Sequence, residues 1–479
     1  MLQQDYVIID RLYMDCNSII YDSYREILNT NPNPSFVQIL DHVMLSIGQI
    51  IERIQPKKSV VIAFDGVAPF AKMKQQRLRR FRNEYTSNIS IDNPIFQTYM
   101  ITPGTRFMKE LSNRVTREFS NKKYKFVKEI VVSTADEPGE GEHKMMEHFR
   151  SKVKKTDNVA IYGLDSDLIM LAMFHAYMTK RIYVFREAPE FFKSKIPITF
   201  QHPKDPYFID IKLFAAKVEE ESKIPVYDYV FLCFLLGNDF LPHFQSLNLR
   251  TRGIQVIEDV YHNLPSKYKP IITTSSKSNS INWQSFYAFV FELAKIEHEL
   301  FVQEYVLRER QERRYFPETT DEEKETSLQH VPQQFRSKEL YIDPNVPKWE
   351  DRYYKVLFPK STKKEEIVKN YLEGLEWVFY YYTTKCINWS WSYRYNYPPL
   401  FKDLLKQIPK TNILSIFGLI SQNEPYTQYQ QLNYVLPAKA RYQEGLIQQE
   451  EYERLQKEEL NMSLDWAFCK YLWEAHFEL

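Results

Sequence analysis

The sequence predicts an α/β fold in which a mostly parallel sheet is flanked by helices. Three apolar runs of strand character end in aspartate, at residues 12–15, 60–65 and 159–165, and two more apolar runs at residues 129–132 and 181–185 predict buried strands. Helical periodicity lies between them, as in residues 36–54, where apolar side chains recur every three or four positions. Strands that alternate with helices favour a parallel sheet.

Composition excludes several classes of protein. The chain has 479 residues, 63 Lys+Arg against 62 Asp+Glu, a net charge of +1 and 44% hydrophobic residues. No run approaches the roughly 18 apolar residues of a membrane span, and the first residues lack the pattern of a signal peptide. The four cysteines are scattered, with no CxxC spacing. We expect a reduced, intracellular, soluble protein without disulfides.

Glycine is scarce, with 11 residues in 479, against an average usage of about 7%. Six of the eleven lie between Asp65 and Asp239, namely Gly66, Gly104, Gly139, Gly141, Gly163 and Gly237. Because glycine allows positive φ and close approach of the backbone to a ligand, we expect the functional site in this part of the chain.

The chain divides into three predicted regions. Residues 1–255 contain the α/β pattern, and residues 256–348 form a helical segment followed by a charged linker or surface insertion at 307–345. Residues 349–479 form a second, aromatic-rich helical region with a charged tail from residue 438 that we expect to be mostly helical.

Seven carboxylates are candidates for one site. Functional groups of parallel sheets collect outside the carboxyl ends of the strands, where three of these aspartates are predicted. Two glutamates alternate with glycine where a loop enters a helix, one aspartate follows a strand-end aspartate by two residues, and one follows a buried helical run. The seven are Asp15, Asp65, Glu140, Glu142, Asp165, Asp167 and Asp239.

Seven acids confined at one sheet edge repel one another unless cations bind there. Oxygen ligands in this number suit Mg²⁺ or Mn²⁺, and two such ions about 3.5–4 Å apart are the usual arrangement for hydrolysis of a phosphodiester. Each of these acids taken alone is better explained as a helix cap or a turn residue. Their convergence from five segments favours an acidic two-metal nuclease site.

A basic segment, residues 72–82, carries six cations and no acid. On a helix, Lys72, Gln76, Arg79 and Arg80 share one face. One lysine, one amide and two guanidinium groups suit a terminal phosphate, since arginine donates to it in pairs. The alternative is a solvated basic face or a general contact with a phosphate backbone.

Eight motifs in order resemble the Xrn-type 5′→3′ exoribonuclease family. In the first region they are AFDGVAPFAKMKQQRLRRFR, ITPGTRFM, PGEGEHKMMEHFR, IYGLDSDLIML and FLLGNDFLPH, and in the second WEDRYYKVLF, YLEGLEWVFYYYTT and NWSWSYRYNYPP. The resemblance spans residues 12–255 and 349–437, so that residues 1–255 correspond to the nuclease domain of the family and residues 349–479 to its second region. It is closest in size to the compact versions that large DNA viruses encode.

The resemblance implies Mg²⁺-dependent degradation of single-stranded RNA with a 5′-monophosphate to mononucleotides. It places the seven carboxylates at the metal site, as catalytic groups and metal ligands, with Mn²⁺ as a substitute for the two Mg²⁺ ions. It places Lys72, Gln76, Arg79 and Arg80 in the 5′-phosphate pocket. Trp389 and Trp391 are candidates for stacking on a base, with core packing as the alternative for both and the better explanation for one of them. Tyr21 stands where the family has a stacking histidine. Two departures are the short segment before residue 12 and Phe70, which stands where a basic residue is common.

The leading hypothesis is therefore a 5′→3′ exoribonuclease acting on decapped RNA, cytoplasmic or nuclear, with no membrane association and with the decapping machinery as a candidate partner. The first alternative is a flap-type, structure-specific nuclease, against which the aromatic and basic motifs argue. The second alternative is an inactive RNA-binding relative, against which the presence of all seven carboxylates argues.

Overall fold

A six-stranded sheet forms the centre of the first region. The computed structural model describes residues 7–87, 97–119, 123–163, 165–187, 206–274, 279–411, 415 and 424–477. The strands of this sheet are β1 (Arg11–Asp15), β2 (Ser59–Ala63), β3 (Glu129–Ser133), β4 (Asn158–Tyr162), β5 (Arg181–Glu187) and β6 (Pro206–Asp210). Their spatial order is β3-β2-β1-β4-β5-β6.

The first five strands are parallel, and β6 pairs with β5 in the antiparallel direction. In register, Asp15 lies opposite Ala63 of β2, and Met14 lies opposite Tyr162 of β4. The order places β1 between β2 and β4, so the ends of the three strands that precede the aspartates are neighbours. The predicted mostly parallel sheet is confirmed, and the antiparallel strand β6 was not foreseen.

Helices flank the strands. In chain order they are α1 (Asn17–Leu28), α2 (Phe36–Ile54), α3 (Phe70–Ser87), α4 (Arg106–Glu118), α5 (Gly141–Lys152), α6 (Asp167–His175), α7 (Ile211–Ser222), α8 (Val226–Cys233), α9 (Gly253–Asn263), α10 (Trp283–Glu312), α11 (Asp321–Gln329), α12 (Val331–Gln334), α13 (Ser337–Ile342), α14 (Trp349–Leu357), α15 (Lys364–Thr383), α16 (Phe401–Leu404), α17 (Gln428–Val435), α18 (Ala438–Gln443) and α19 (Gln449–Leu460). The sequence explains several of their starts, since Ser35 and Gln38 form a capping box at α2 and Thr105 caps α4.

Both faces of the sheet are buried, and alternate residues of each strand enter different cores. In β1, Leu12 and Met14 pack in one core with α1, α2 and α4. Tyr13 packs in the other core, which contains α5 and α6 and extends into the aromatic helix α15. Since this second core contains residues from both predicted regions, burial of apolar surface holds the aromatic region against the sheet.

The charged linker or surface insertion predicted at residues 307–345 stays a prediction, but this segment has regular structure. The structure has the end of α10 and the short helices α11, α12 and α13 there. Glu339 of α13 is 1% exposed and accepts hydrogen bonds from Arg308 at 2.6 Å and from Arg336 at 2.8 Å. Spacing of apolar residues missed this segment because buried ion pairs, and not an apolar stripe, hold it. The domain boundaries at residues 255 and 348 stay predictions.

The tail is only partly helical. After α18 and α19 the chain forms a two-stranded antiparallel ribbon of β9 (Leu464–Asp465) and β10 (His476–Phe477), numbered after the short hairpin β7 (Ile272–Thr274) and β8 (Asn279–Ile281). The C-terminal segment returns to the first region, because Arg82 of α3 donates a hydrogen bond to the carbonyl of Ala475 at 3.1 Å. No helix among the described residues is long and apolar enough to cross a membrane.

Candidate active site

The carboxyl edge of the sheet holds the three strand-end aspartates. Asp15 is the last residue of β1, Asp65 follows β2 by two residues, and Asp165 follows β4 by three. Asp65 accepts a hydrogen bond from the side chain of Asn17, and its backbone N–H donates to the Asn17 Oδ1 at 3.1 Å. Asn17, at the start of α1, thus fixes the orientation of Asp65.

Glycine lets two loops approach at this edge. The Gly66 N–H donates to the carbonyl of Gly139 at 2.9 Å, and a Cβ on Gly66 would lie 1.7 Å from the backbone oxygen of Glu137. The loop contact brings the Gly141 N–H to 2.7 Å from Asp65 Oδ1. The expectation of essential glycines is confirmed at Gly66 because any other residue would force the two loops apart.

The remaining four acids enter the same site from three segments. Glu140 is the N-cap residue of α5 and Glu142 lies in its first turn. Asp167 is the first residue of α6. Asp239 follows Gly237, which has φ of +94°. Each acid influences the ionisation of at least one other, so the structure brings all seven together.

Lys72 lies among these acids. Its Nζ is 2.7 Å from Glu140 Oε2 and 2.7 Å from Asp239 Oδ2. Burial alone would lower the pKa of Lys72, but Glu140 and Asp239 raise it well above its usual value. Burial likewise opposes ionisation of Asp239, yet Lys72 and Gln75 hold the pKa of Asp239 below its usual value. One lysine therefore neutralises only part of the negative charge.

The other acids repel one another. Burial, together with Asp65 and Asp165, raises the pKa of Asp15 well above its usual value. Burial and Glu140 do the same for Glu142, and burial with Asp239 raises the pKa of Asp167 to about 6. Such shifts mark a site in which carboxylates lack positive partners.

The donor set fits a divalent cation. Asp15 Oδ1 is buried with no hydrogen-bond partner. Ligand atoms of Glu140, Glu142 and His143 lie within 4.8 Å of one another. Hard oxygen donors with excess negative charge are what Mg²⁺ and Mn²⁺ require. His143 was not among the predicted residues, since a lone histidine in a sequence carries little signal.

Two tyrosines of α15 were also missed. The Tyr381 hydroxyl donates to Glu140 Oε1 at 2.6 Å, and its ring stacks on His143 with centroids 3.5 Å apart. The Tyr382 hydroxyl donates to Asp167. The run of three tyrosines in the motif YLEGLEWVFYYYTT was the available signal. The second region thus covers the acids and orients two of them.

The predicted phosphate-binding residues have different partners. Lys72 contacts the acids, whereas Gln76 Oε1 accepts a hydrogen bond from Gln431 at 3.3 Å. Arg79 is exposed. Arg80 donates to the carbonyl of Thr98 at 3.2 Å, and its buried Nε has no hydrogen-bond partner. Burial lowers the pKa of Arg80 to about 10. This direction indicates that no carboxylate nearby compensates the burial of the guanidinium group.

The predicted stacking residues also separate. Trp391 is 6% exposed and stacks on Trp377 with centroids 5.2 Å apart, so core packing, the alternative expected for one of the two tryptophans, fits Trp391. Trp389 is half-buried, and its carbonyl accepts from the N–H of Phe70 at the start of α3. Tyr21 is half-buried on α1 close enough to Arg80 to influence its pKa. Tyr21 and Trp389 remain candidates.

Two family models match most of the chain. The one described as XRN 5′-3′ exonuclease N-terminus matches residues 2–188, and the one described as Xrn1 helical domain matches residues 221–341 and 345–459. The first contains six of the seven acids and the second contains Asp239 and the aromatic helix.

Curated relatives are similar to this chain over 90% of its length. The 5′-3′ exoribonuclease 2 of Arabidopsis thaliana is 26% identical, over 90% of this chain and 56% of that protein. The 5′-3′ exoribonuclease 1 of Schizosaccharomyces pombe is 24% identical, over 90% of this chain and 42% of that protein. That of Homo sapiens is 26% identical, over 90% of this chain and 29% of that protein. The chain thus spans less than two thirds of the length of these relatives.

Among solved structures, the catalytic core of Rad2 in complex with DNA substrate is similar at a TM-score of 0.33 and 16% identity, covering 62% of this chain and 72% of that one. The T5 D15 protein co-crystallized with metal ions is similar at a TM-score of 0.30 and 12% identity, covering 62% of this chain and 88% of that one. Likeness at this level carries no argument about the present chain.

Proposed function

The chain belongs to the Xrn family of 5′→3′ exonucleases, and we propose that it is itself a 5′→3′ exoribonuclease that hydrolyses RNA bearing a 5′-monophosphate. The observation that carries the proposal is the convergence of seven carboxylates at the carboxyl end of the sheet, where Lys72 is the one lysine among the described residues in direct contact with them. An inactive relative has no need for this uncompensated charge, because repulsion among buried carboxylates costs stability.

Mg²⁺ is the proposed cofactor, with Mn²⁺ as a substitute. Asp15, with its unpartnered oxygen, and the acids around it would hold two ions, which supply an activated water and stabilise the leaving 3′-oxygen. Asn17 and Tyr381 hold the orientation of Asp65 and Glu140. Such partners keep ligands in place and raise affinity for the metal.

The basic side of α3 supports recognition of the 5′-phosphate. Arg79 is exposed, Arg80 has a buried nitrogen without a partner, and Gln76 lies on the same face of the helix. Guanidinium groups bind phosphate oxygens in pairs. Tyr21, close to Arg80, and Trp389, near the start of α3, are proposed to stack on the terminal base. A narrow pocket of this kind would exclude capped and triphosphorylated ends, so decapping would have to precede degradation.

The test compares three RNAs of one sequence with a 5′-monophosphate, a 5′-triphosphate or a cap, each with Mg²⁺ and with EDTA. We expect mononucleotides only from the monophosphate RNA with Mg²⁺. Arg80→Ala should slow cleavage of the 5′-monophosphate RNA more than cleavage of a 5′-hydroxyl RNA of the same sequence, because it removes contacts to the phosphate alone. Equal degradation of all three ends would refute the phosphate pocket. Preference for a DNA flap over single-stranded RNA would favour the flap-nuclease alternative.

A further inference from the structure

A second cavity lies on the other face of α3. Lys74, Leu78 and Phe81 point away from the face of Gln76 and Arg80 and line a cavity of about 720 Å³. Its other walls are residues 238–242, residues 392–396 and the C-terminal residues 473–477. We call this cavity the α3 chamber. None of the residues assigned above to the 5′-phosphate pocket lines it except Arg79.

Four cations of α3 line the chamber, Lys74, Arg77, Arg79 and Arg82, together with two carboxylates, Asp239 and Glu474. Lys74 Nζ donates to the carbonyl of Tyr393 at 2.7 Å, and Arg77 donates to the carbonyl of Tyr434 at 2.5 Å. Among the described residues, no carboxylate lies within salt-bridge distance of either cation. Burial, with Arg394 nearby, lowers the pKa of Lys74 to about 8. Buried cations without a counterion favour binding of an anion.

The same walls suit a nucleobase. Aromatic rings of Phe81, Tyr393, Tyr395, Trp473 and Phe477 line the chamber. Gln75 and Asn238 add amide groups to the wall. Rings, cations and amide groups together fit a nucleotide better than a simple anion.

The chamber begins at the acidic site. Asp239, which contacts Lys72, lines it, and so does Gln75, which donates to Asp239 at 3.0 Å. Beyond the C-terminal segment lies another cavity of about 430 Å³ that shares Asn238, Trp473 and His476 with the chamber. The two cavities are therefore adjacent and share a wall at the C-terminal segment.

We propose that the α3 chamber binds the nucleoside 5′-monophosphate after cleavage and leads it away from the acids, separately from the pocket that holds the 5′ end of the RNA. The cations of α3 hold the phosphate, and the aromatic wall holds the base. No bond is made or broken in the chamber. The product role rests on the proposed exonuclease activity, whereas binding of the nucleotide does not.

The experiment is titration calorimetry of the full chain with AMP in EDTA, with adenosine and inorganic phosphate as partial ligands. We expect AMP to bind more tightly than either partial ligand. Lys74→Gln should weaken AMP about tenfold, the effect of one charge-assisted hydrogen bond. Leu78→Trp, which fills the chamber, should abolish AMP binding, and Lys109→Gln, at an exposed position of α4, should leave it unchanged. A thermal melt of each variant checks that it is folded.

Two outcomes would overturn the proposal. If Arg80→Gln weakens AMP and Lys74→Gln does not, the nucleotide binds on the other face of α3. If the wild-type chain degrades RNA but binds no AMP, the chamber is not a nucleotide site although the proposed function stands. If AMP binding depends on Lys74 in a chain that degrades no RNA, the nucleotide site stands and the proposed function fails.

Discussion

Two groups of charged residues in this protein differ in how they are neutralised. At the sheet edge, Lys72 is the one lysine among the described residues within salt-bridge distance of the seven acids, and Asp15 Oδ1 has no hydrogen-bond partner. Beneath the tail, Glu339 accepts hydrogen bonds from Arg308, Arg336 and the N–H of Phe468. The carboxylate of the second group is paired within the protein and joins segments of the chain. The first is satisfied only by something bound, which marks it as the site of function.

Among the variants considered, Asp15→Asn, which changes one of the seven acids at the sheet edge, should have the largest effect on activity. Because a bound metal contributes several kcal/mol to catalysis, loss of a central ligand should slow RNA cleavage at least about 1000-fold. The fold should survive, since the change removes a negative charge from a repulsive cluster. Initial rates and a thermal melt in EDTA measure the two effects. Asp259→Asn, on an exposed part of α9, serves as the control. Cleavage near the wild-type rate would remove Asp15 from the metal site.

Glu339→Gln should have the opposite effect, a large loss of stability with no change in metal binding. It leaves two buried arginines without their shared carboxylate, which should lower the free energy of unfolding by about 3–4 kcal/mol. Metal binding by the folded fraction should not change. Urea unfolding measures the loss, and Glu312→Gln is the matched control, because its single contact to Arg336 is partly exposed and should contribute below about 1 kcal/mol. Equal losses in both variants would contradict the comparison.

Glu297 of α10 is a third kind of buried carboxylate, paired with backbone donors. It accepts from the N–H of Phe401 at 2.7 Å, yet burial raises the pKa of Glu297 to about 8. The folded state therefore keeps its proton at pH values where the unfolded chain has lost it. Its contribution to stability is full below the unfolded pKa of about 4.5 and is lost as pH rises through about 8.

Glu297→Gln should remove this dependence. Between about pH 5 and pH 8, the free energy of unfolding of the wild type should fall by about 3–4 kcal/mol relative to the variant. Urea unfolding of both proteins across this range is the measurement. A constant difference between them would mean that Glu297 is ionised in the folded protein.

Tyr381→Phe should give the smallest effect and tests the cover over the acids. Removal of the hydroxyl that donates to Glu140 should weaken metal binding and cleavage about tenfold. Calorimetric titration with Mn²⁺ gives an affinity that does not depend on turnover. Tyr380→Phe, on the neighbouring half-buried position of the same helix, should be silent. Unchanged metal affinity in Tyr381→Phe would leave this tyrosine a purely structural role.

The sequence predicted the positions of the acids better than the contacts of the residues around them. Strand-end positions such as Asp15 and Asp65 are fixed by the parallel sheet, so finding the strands was enough to place the side chains. Helix α3 was harder, because six cations on a helix point in several directions. Lys72 was predicted to bind phosphate, but here it contacts Glu140 and Asp239. The groups that each cationic side chain of α3 contacts depend on the segments that pack around the helix.

By itself the sequence determined the α/β class, the parallel strands and the seven acids at one edge, because these follow from local periodicity and from the geometry of strand ends. Tertiary structure decided which aromatic residues are core and which are available, burying Trp391 and bringing Tyr381 to Glu140 across 241 positions. It also decided that the tail returns to α3 and encloses the chamber. Contacts between distant segments depend on complementary surfaces in three dimensions, and no local pattern in the chain encodes them.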